Sequence, residues 1–296
     1  MGEPAGGVRI LTEGLGVKGP RGWAVRGISL DAEPGALVAV EGPSGSGRTC
    51  LLLALTGRMK VAEGTAAVGE ARLPKQLAAV RRVSALAHVP GVTDLDPALT
   101  VGEHLRERAL LQRRFGDSLR GLLWPPGERA AEAGRRVDAA LAAAGLDLDA
   151  LPKGPRTAVR DLERLEALRL SVALALIGRP RLLGVDDTDL KLSDDERDEV
   201  WALLRSLADA GTTVLAVCSE APEDALRVST GQSRDEEPAE QGPQAGDEEP
   251  AEEGPVTADQ QPAEEGPQAG DDRTAVVEDA DEGEGKADAI AETGRA

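Results

Sequence analysis

Tyrosine is absent from this chain of 296 residues, and phenylalanine occurs once, at Phe115. Aromatic side chains make up only 1% of the sequence, so few groups are on hand to stack against a base. The two cysteines, Cys50 and Cys218, sit in apolar stretches without metal-ligand spacing. They read as reduced core thiols, which excludes a disulfide scaffold or a cysteine-based metal centre. No apolar run approaches the ~20 residues that a membrane-crossing helix needs; the longest lies around Leu170–Ile177. Met1-Gly2-Glu3-Pro4 has neither a basic nor an apolar signal region, so no signal peptide is expected. The expectation is a soluble, cytoplasmic chain.

Positive charge is also scarce, with 34 Lys and Arg against 53 Asp and Glu. The imbalance is local. Residues 231–296 hold 21 acidic and 4 basic residues, whereas residues 1–230 are nearly balanced. The near-neutral part argues against nucleic acid as a partner held by broad electrostatics. The acidic tail repeats a 12-residue unit three times: DEEPAEQGPQAG from Asp235, DEEPAEEGPVTA from Asp247 and DQQPAEEGPQAG from Asp259. Proline and glycine in every copy break helix and strand, and the like charges repel. A disordered tail over 230–296 follows. It reads as a solvating appendage or as a docking segment for a basic partner.

What is present is a glycine frame. Gly42-Pro43-Ser44-Gly45-Ser46-Gly47-Arg48-Thr49 matches G-x-x-x-x-G-K-[ST] except that arginine replaces lysine. In such a loop the backbone N–H groups cradle phosphates at a helix N-terminus. The nucleotide is expected against Gly42, Ser44, Gly45, Ser46, Gly47, Arg48, Thr49 and Cys50. The context fits. Strands are predicted over Ile28–Ala32 and Ala36–Val40 around the turn Glu33-Pro34-Gly35, and a helix over Thr49–Arg58 follows the loop.

Further on, Val137, Ala140, Leu141 and Ala144 follow the helical stripe i, i+3, i+4, i+7. A helical middle spans about 96–165, broken at Pro125-Pro126-Gly127. A buried apolar helix starts at Leu168, then a short strand Leu182–Val185 ends in Asp186-Asp187. An amphipathic helix over Glu199–Ala208 and a β-branched strand over Thr212–Cys218 complete the pattern. Strands alternating with helices predict an α/β fold with a mostly parallel sheet, N-terminal antiparallel strands and a helical insertion. The folded domain is placed at 1–229.

The order of these pieces resembles the ATP-binding cassette of ABC transporters, P-loop NTPases that work as dimers. The most specific stretches are GISLDAEPGALVAVEGPSGSGRT and VALALIGRPRLLGVDD, and the match covers nearly all of residues 8–226. The resemblance implies ATP and Mg²⁺ as cofactors, with Thr49 and Asp186 as the metal-holding positions. It also implies a membrane permease and a second cassette (a copy or a different chain) as partners, at the inner face of the membrane.

Several positions depart from the family pattern. Asp187 stands where a glutamate orients or deprotonates the attacking water, and is the candidate catalytic residue. Arg48 replaces the lysine, and guanidinium and ammonium are not equivalent at a phosphate. The signature segment falls at Leu162-Glu163-Arg164-Leu165-Glu166, without its serine and glycines. His88 aligns with the Q-loop glutamine, Ser219 with the switch histidine and Ser193 with the D-loop aspartate. Trp23 is the one candidate for the base-stacking aromatic, although it sits late in the chain for that role. Arg106, Arg108, Arg113, Arg114 and Arg120, interleaved with Leu110, Phe115, Leu122 and Trp124, form either a permease-facing surface or a solvated helix face. Three outcomes are left open: a cassette that binds Mg-ATP with weak hydrolysis, a fully active transport ATPase, or a scaffold acting through its tail.

Overall fold

A computed structural model describes residues 6–20, 22–115 and 126–231. The repeats at 235–270 lie outside the described residues. So do Arg120, Leu122 and Trp124, and the side chains of Arg113, Arg114 and Phe115.

The chain opens with a long antiparallel pair, β1 (Ile10–Gly19) and β2 (Gly22–Ala32). It joins β4 (Glu63–Val68) and β5 (Ala71–Leu73) in a four-stranded sheet of order β2-β1-β4-β5. The turn Glu33–Ala36 carries the chain out of this sheet. Ala36 N–H donates to Glu33 O at 3.0 Å, and Gly35 takes φ +82°, the type II geometry that a proline at the second position and a glycine at the third allow. The two strands predicted around this turn therefore belong to different sheets.

The second sheet is wholly parallel. Its order is β6 (Ser84–Ala87), β7 (Leu182–Val185), β8 (Thr213–Cys218), β3 (Leu37–Glu41) and β9 (Leu226–Ser229). Every residue of β6, β7 and β8 is buried, as expected for parallel strands covered on both faces. Alternation along the strands divides the core. Leu37, Ala39, Leu183, Val185, Val214 and Ala216 point to one face, against α3 (Val101–Phe115), α4 (Pro126–Ala144), α5 (Arg164–Leu176) and α6 (Asp194–Asp209). Val38, Val40, Leu182, Leu215 and Val217 point to the other, against α1 (Arg48–Leu55) and the antiparallel sheet. A short helix α2 (Leu77–Val83) leads into β6.

Several predicted boundaries move, among them the start of β2, at Gly22 rather than Ile28. The first helix stops at Leu55 rather than at Arg58, because the Thr56 hydroxyl bonds back to Leu52 O at 2.8 Å and Gly57 takes φ +77°. The apolar helix starts at Arg164, four residues ahead of its apolar run, behind a capping box of Glu163 and Glu166. The amphipathic helix starts at Asp194, behind a box of Ser193 and Glu196. Within the insertion, α3 and α4 are followed by two single-turn 3-10 helices, Gly154–Arg156 and Val159–Asp161. No helix among the described residues is long and apolar enough to cross a membrane.

Candidate nucleotide-binding site

Because all five strands of the second sheet run the same way, their carboxyl ends share one edge. That edge carries Gly42 after β3, His88 after β6, Asp186 after β7, Ser219 after β8 and Thr230 after β9. Open α/β sheets bind ligands at this edge.

The loop from Gly42 to Thr49 wraps over it. Gly42, Gly45 and Gly47 have φ of 149°, 78° and 88°, which only glycine adopts readily. A Cβ on Gly47 would lie 2.3 Å from Ala24 O, so β2 presses directly on the loop. Gly47 is the N-cap of α1 and no side chain caps that helix end. Its first amides are left for an anion, reinforced by the helix dipole. Thr230 closes the loop from below, its hydroxyl 2.6 Å from that of Ser46. Nothing in the sequence flags this contact, which spans 184 residues.

Thr49 Oγ1 donates to Asp186 Oδ2 at 2.7 Å, and Asp187 N–H donates to Asp186 Oδ1 at 2.9 Å. Asp186 is 2% exposed. Burial pushes its carboxyl above the usual carboxylate range, opposed by those two hydrogen bonds and by the charge of Arg48, while Asp187 adds to the rise. A hydroxyl beside a carboxylate is the hard-oxygen donor set that suits Mg²⁺, which takes one or two protein oxygens and completes its shell with phosphate and water.

Arg48 links the loop to the neighbouring strand. Its Nη1 donates to the carbonyl of Cys218, at the end of β8. Cys218 is fully buried, and burial, with Asp189 and Glu41 nearby, pushes its thiol up to about 12. Both cysteines are free thiols, with Cys50 half-buried. Ser219 donates to Asp189 through its N–H at 2.6 Å and through its hydroxyl. Asp189, two residues past Asp187, was not singled out from the sequence. Ser193 is occupied as the cap of α6.

At the N-terminus of α5 the Glu163 carboxylate accepts from the third backbone amide of the helix, and Glu166 accepts from Glu163 N–H at 2.9 Å. Two amides of the signature segment, those of Glu163 and Glu166, are thus satisfied by the chain's own carboxylates. Trp23 pairs across β1 with Lys18 and is 42% exposed. Lys18 Nζ and Arg26 Cζ lie 4.6 and 4.5 Å from its ring centre, so its faces are engaged by cations.

The sequence of residues 25–189 matches the family model for ABC transporters. The chain belongs to the ABC transporter family. It is 33% identical over 192 residues to a Nod factor export ATP-binding protein of Cupriavidus metallidurans, covering 64% of this chain and 56% of that one. It is 28% identical to an arabinose import ATP-binding protein of Pseudomonas savastanoi, covering 73% of this chain and 39% of that one. The cassette thus spans about half the length of these relatives. In fold it is similar to a dimeric bacterial ABC transporter cassette, with a TM-score of 0.56 and 20% identity over 76% of this chain and 96% of that one. A post-hydrolysis dimeric cassette bound to ADP and phosphate gives 0.54 and 20% over 71% and 88%. The α/β P-loop architecture and the nucleotide loop of the family are therefore both in place.

Proposed function

We propose that this cassette is the nucleotide-binding subunit of a membrane transporter, holding Mg-ATP at residues 42–50 and hydrolysing it slowly. The observation that carries the reading is the contrast within one site. The glycine cradle and the Thr49–Asp186 pair suit binding, while the Arg48 guanidinium is engaged by the Cys218 carbonyl.

Thr49 and Asp186 would hold Mg²⁺, which neutralises phosphate charge when bound. Asp187, a weak catalytic candidate, is one methylene shorter than the family's glutamate. Loss of a positioned general base costs about 10²–10⁴ in rate. Phosphoryl transfer depends almost wholly on positioning and charge stabilisation, so these departures act on the same step.

A permease is the partner this reading requires. A groove of about 670 Å³ opens between β6, α3 and α5, lined by Arg58, Arg81, Val92, Leu95, Arg108 and Leu111 among others. It lies where the helical insertion meets the parallel sheet, none of the phosphate loop's cradle residues line it, and it suits a segment from another chain. A peripheral position at the inner face of the membrane follows from that partnership. A second cassette would supply the facing half of the site.

Isothermal titration of the full chain with ATP, with and without Mg²⁺, tests the binding half of the proposal. Mg-dependent binding that is lost in Thr49→Ala supports it. Equal heats from wild type and Thr49→Ala would contradict it.

A further inference from the structure

Most polar groups around the site are already committed. Thr49 is bonded to Asp186, Arg48 to the Cys218 carbonyl, Ser219 to Asp189, and Glu163 and Glu166 to the backbone of α5. Among the described residues no hydrogen bond is made by the ring of His88 or by the carboxylate of Asp187. Neither side chain is among the buried groups left without a partner, so both reach solvent at the edge.

The two are brought together by the sheet. In the parallel pairing of β6 and β7, Ala87 lies opposite Val185, so the next residues, His88 and Asp186, leave the sheet side by side with Asp187 one step beyond. Both His88 (φ 53°) and Asp187 (φ 49°) are in the left-handed region, which costs a non-glycine residue of order 1–3 kcal/mol. The surroundings enforce it: His88 N–H donates to Ser171 Oγ of α5 at 2.7 Å, and Asp187 N–H is held by Asp186. Strain kept in place at two adjacent strand ends, with both side chains uncommitted, is the signature of residues aimed at a ligand.

We infer that His88 is the proton acceptor for the water that attacks bound ATP, with Asp187 beside it as the carboxylate that steadies the imidazolium. This rests on the nucleotide reading above. In the step, the water oxygen forms a bond to the γ-phosphorus, and its proton passes to a ring nitrogen of His88. The bond between the γ-phosphorus and the bridging oxygen breaks, and its electron pair leaves with ADP. His88 then returns the proton to solvent.

The electrostatics agree with the geometry. Burial and the positive charge of Arg164, on α5, hold the imidazole below the usual histidine range, against the pull of Asp187 and of Asp94 in the loop after β6. His88 is therefore neutral and able to accept a proton at pH 7. The role has moved from the carboxylate after β7, shortened here, to the residue after β6.

The test is single-turnover cleavage of γ-labelled ATP by the full chain in excess, from pH 5 to 8, with ATP binding measured in parallel. The rate is expected to be flat near neutrality and to fall on acidification below about pH 6.5. His88→Ala and His88→Gln should each lower it about 10²-fold, remove the acid limb and leave ATP affinity unchanged. A His88→Gln rate equal to wild type, or an acid limb that persists in His88→Ala, would overturn the inference. Binding without any detectable cleavage would overturn it too, while leaving the nucleotide-binding reading intact. Absence of binding in wild type would overturn both.

Discussion

The Arg48 guanidinium donates to the backbone carbonyl of Cys218, tying the start of α1 to the end of β8 across 170 residues. In a loop of this frame the same position ordinarily places a point charge on the phosphates. The planar fork reaches the neighbouring strand end instead. Arg48→Lys frees the Cys218 carbonyl and restores a compact ammonium. The expected outcome is an ATP affinity about tenfold tighter, close to 1.4 kcal/mol, read by titration calorimetry. Unchanged or weaker binding would show that the arginine serves the cradle as it stands.

Gly47→Ala should remove nucleotide binding and destabilise the fold. The new Cβ would meet Ala24 O at 2.3 Å, and φ +88° is strained for alanine. A loss of about 2 kcal/mol or more is expected, visible as a lower Tm by differential scanning calorimetry. Gly45→Ala is the comparison, since nothing lies within 4 Å of a Cβ there and only the φ of +78° opposes it.

How much of this was legible in the sequence depends on range. The strand Leu182–Val185 and the loop itself were readable because a buried parallel strand is a short apolar run and the glycine spacing is local. Helix starts were read late because Glu163 and Ser193 cap their helices well ahead of the first strongly apolar residues. N-terminal antiparallel strands were expected, but β1, β4 and β5 were not placed individually, nor were β6 and β9 of the parallel sheet. Shifts of register at Gly14 and Gly16 break the alternation of β1, and β5 has three residues. In the site, the residue types could be read but not their commitments. Arg48 with Cys218, Ser46 with Thr230 and Ser219 with Asp189 are all contacts between distant segments.

Asp186 trades stability for its role. Burial raises its carboxyl above the usual range, so the folded state holds that proton more tightly than the unfolded chain does. Its contribution to stability is full below the unfolded value and is lost as pH rises through the folded value, so the buried group disfavours the fold once it ionises. Asp186→Asn should therefore raise the Tm at pH 7, with the gain vanishing in acid, while Mg-dependent ATP affinity falls at least tenfold. A lower Tm at neutral pH would show that the ionised form is held favourably.

Two copies of this chain should not close on ATP. The Glu163 and Glu166 amides at the start of α5 are taken by the carboxylates of this same pair, whose charges also oppose a facing phosphate. Light scattering after size exclusion should give the same mass with and without Mg-ATP. Glu163→Ser, which keeps a good N-cap and removes one charge, should shift the distribution toward dimer. An ATP-induced dimer of the wild type would contradict this.

The central claim is that the site binds nucleotide and spends it slowly. Multiple-turnover release of phosphate by the full chain at saturating Mg-ATP, with binding established on the same preparation, tests it most directly. The account predicts bound ATP and a rate at least 10²-fold below the order of 1 s⁻¹ at which ordinary enzymes begin. Sustained turnover of about 1 s⁻¹ or faster by this chain alone would contradict it.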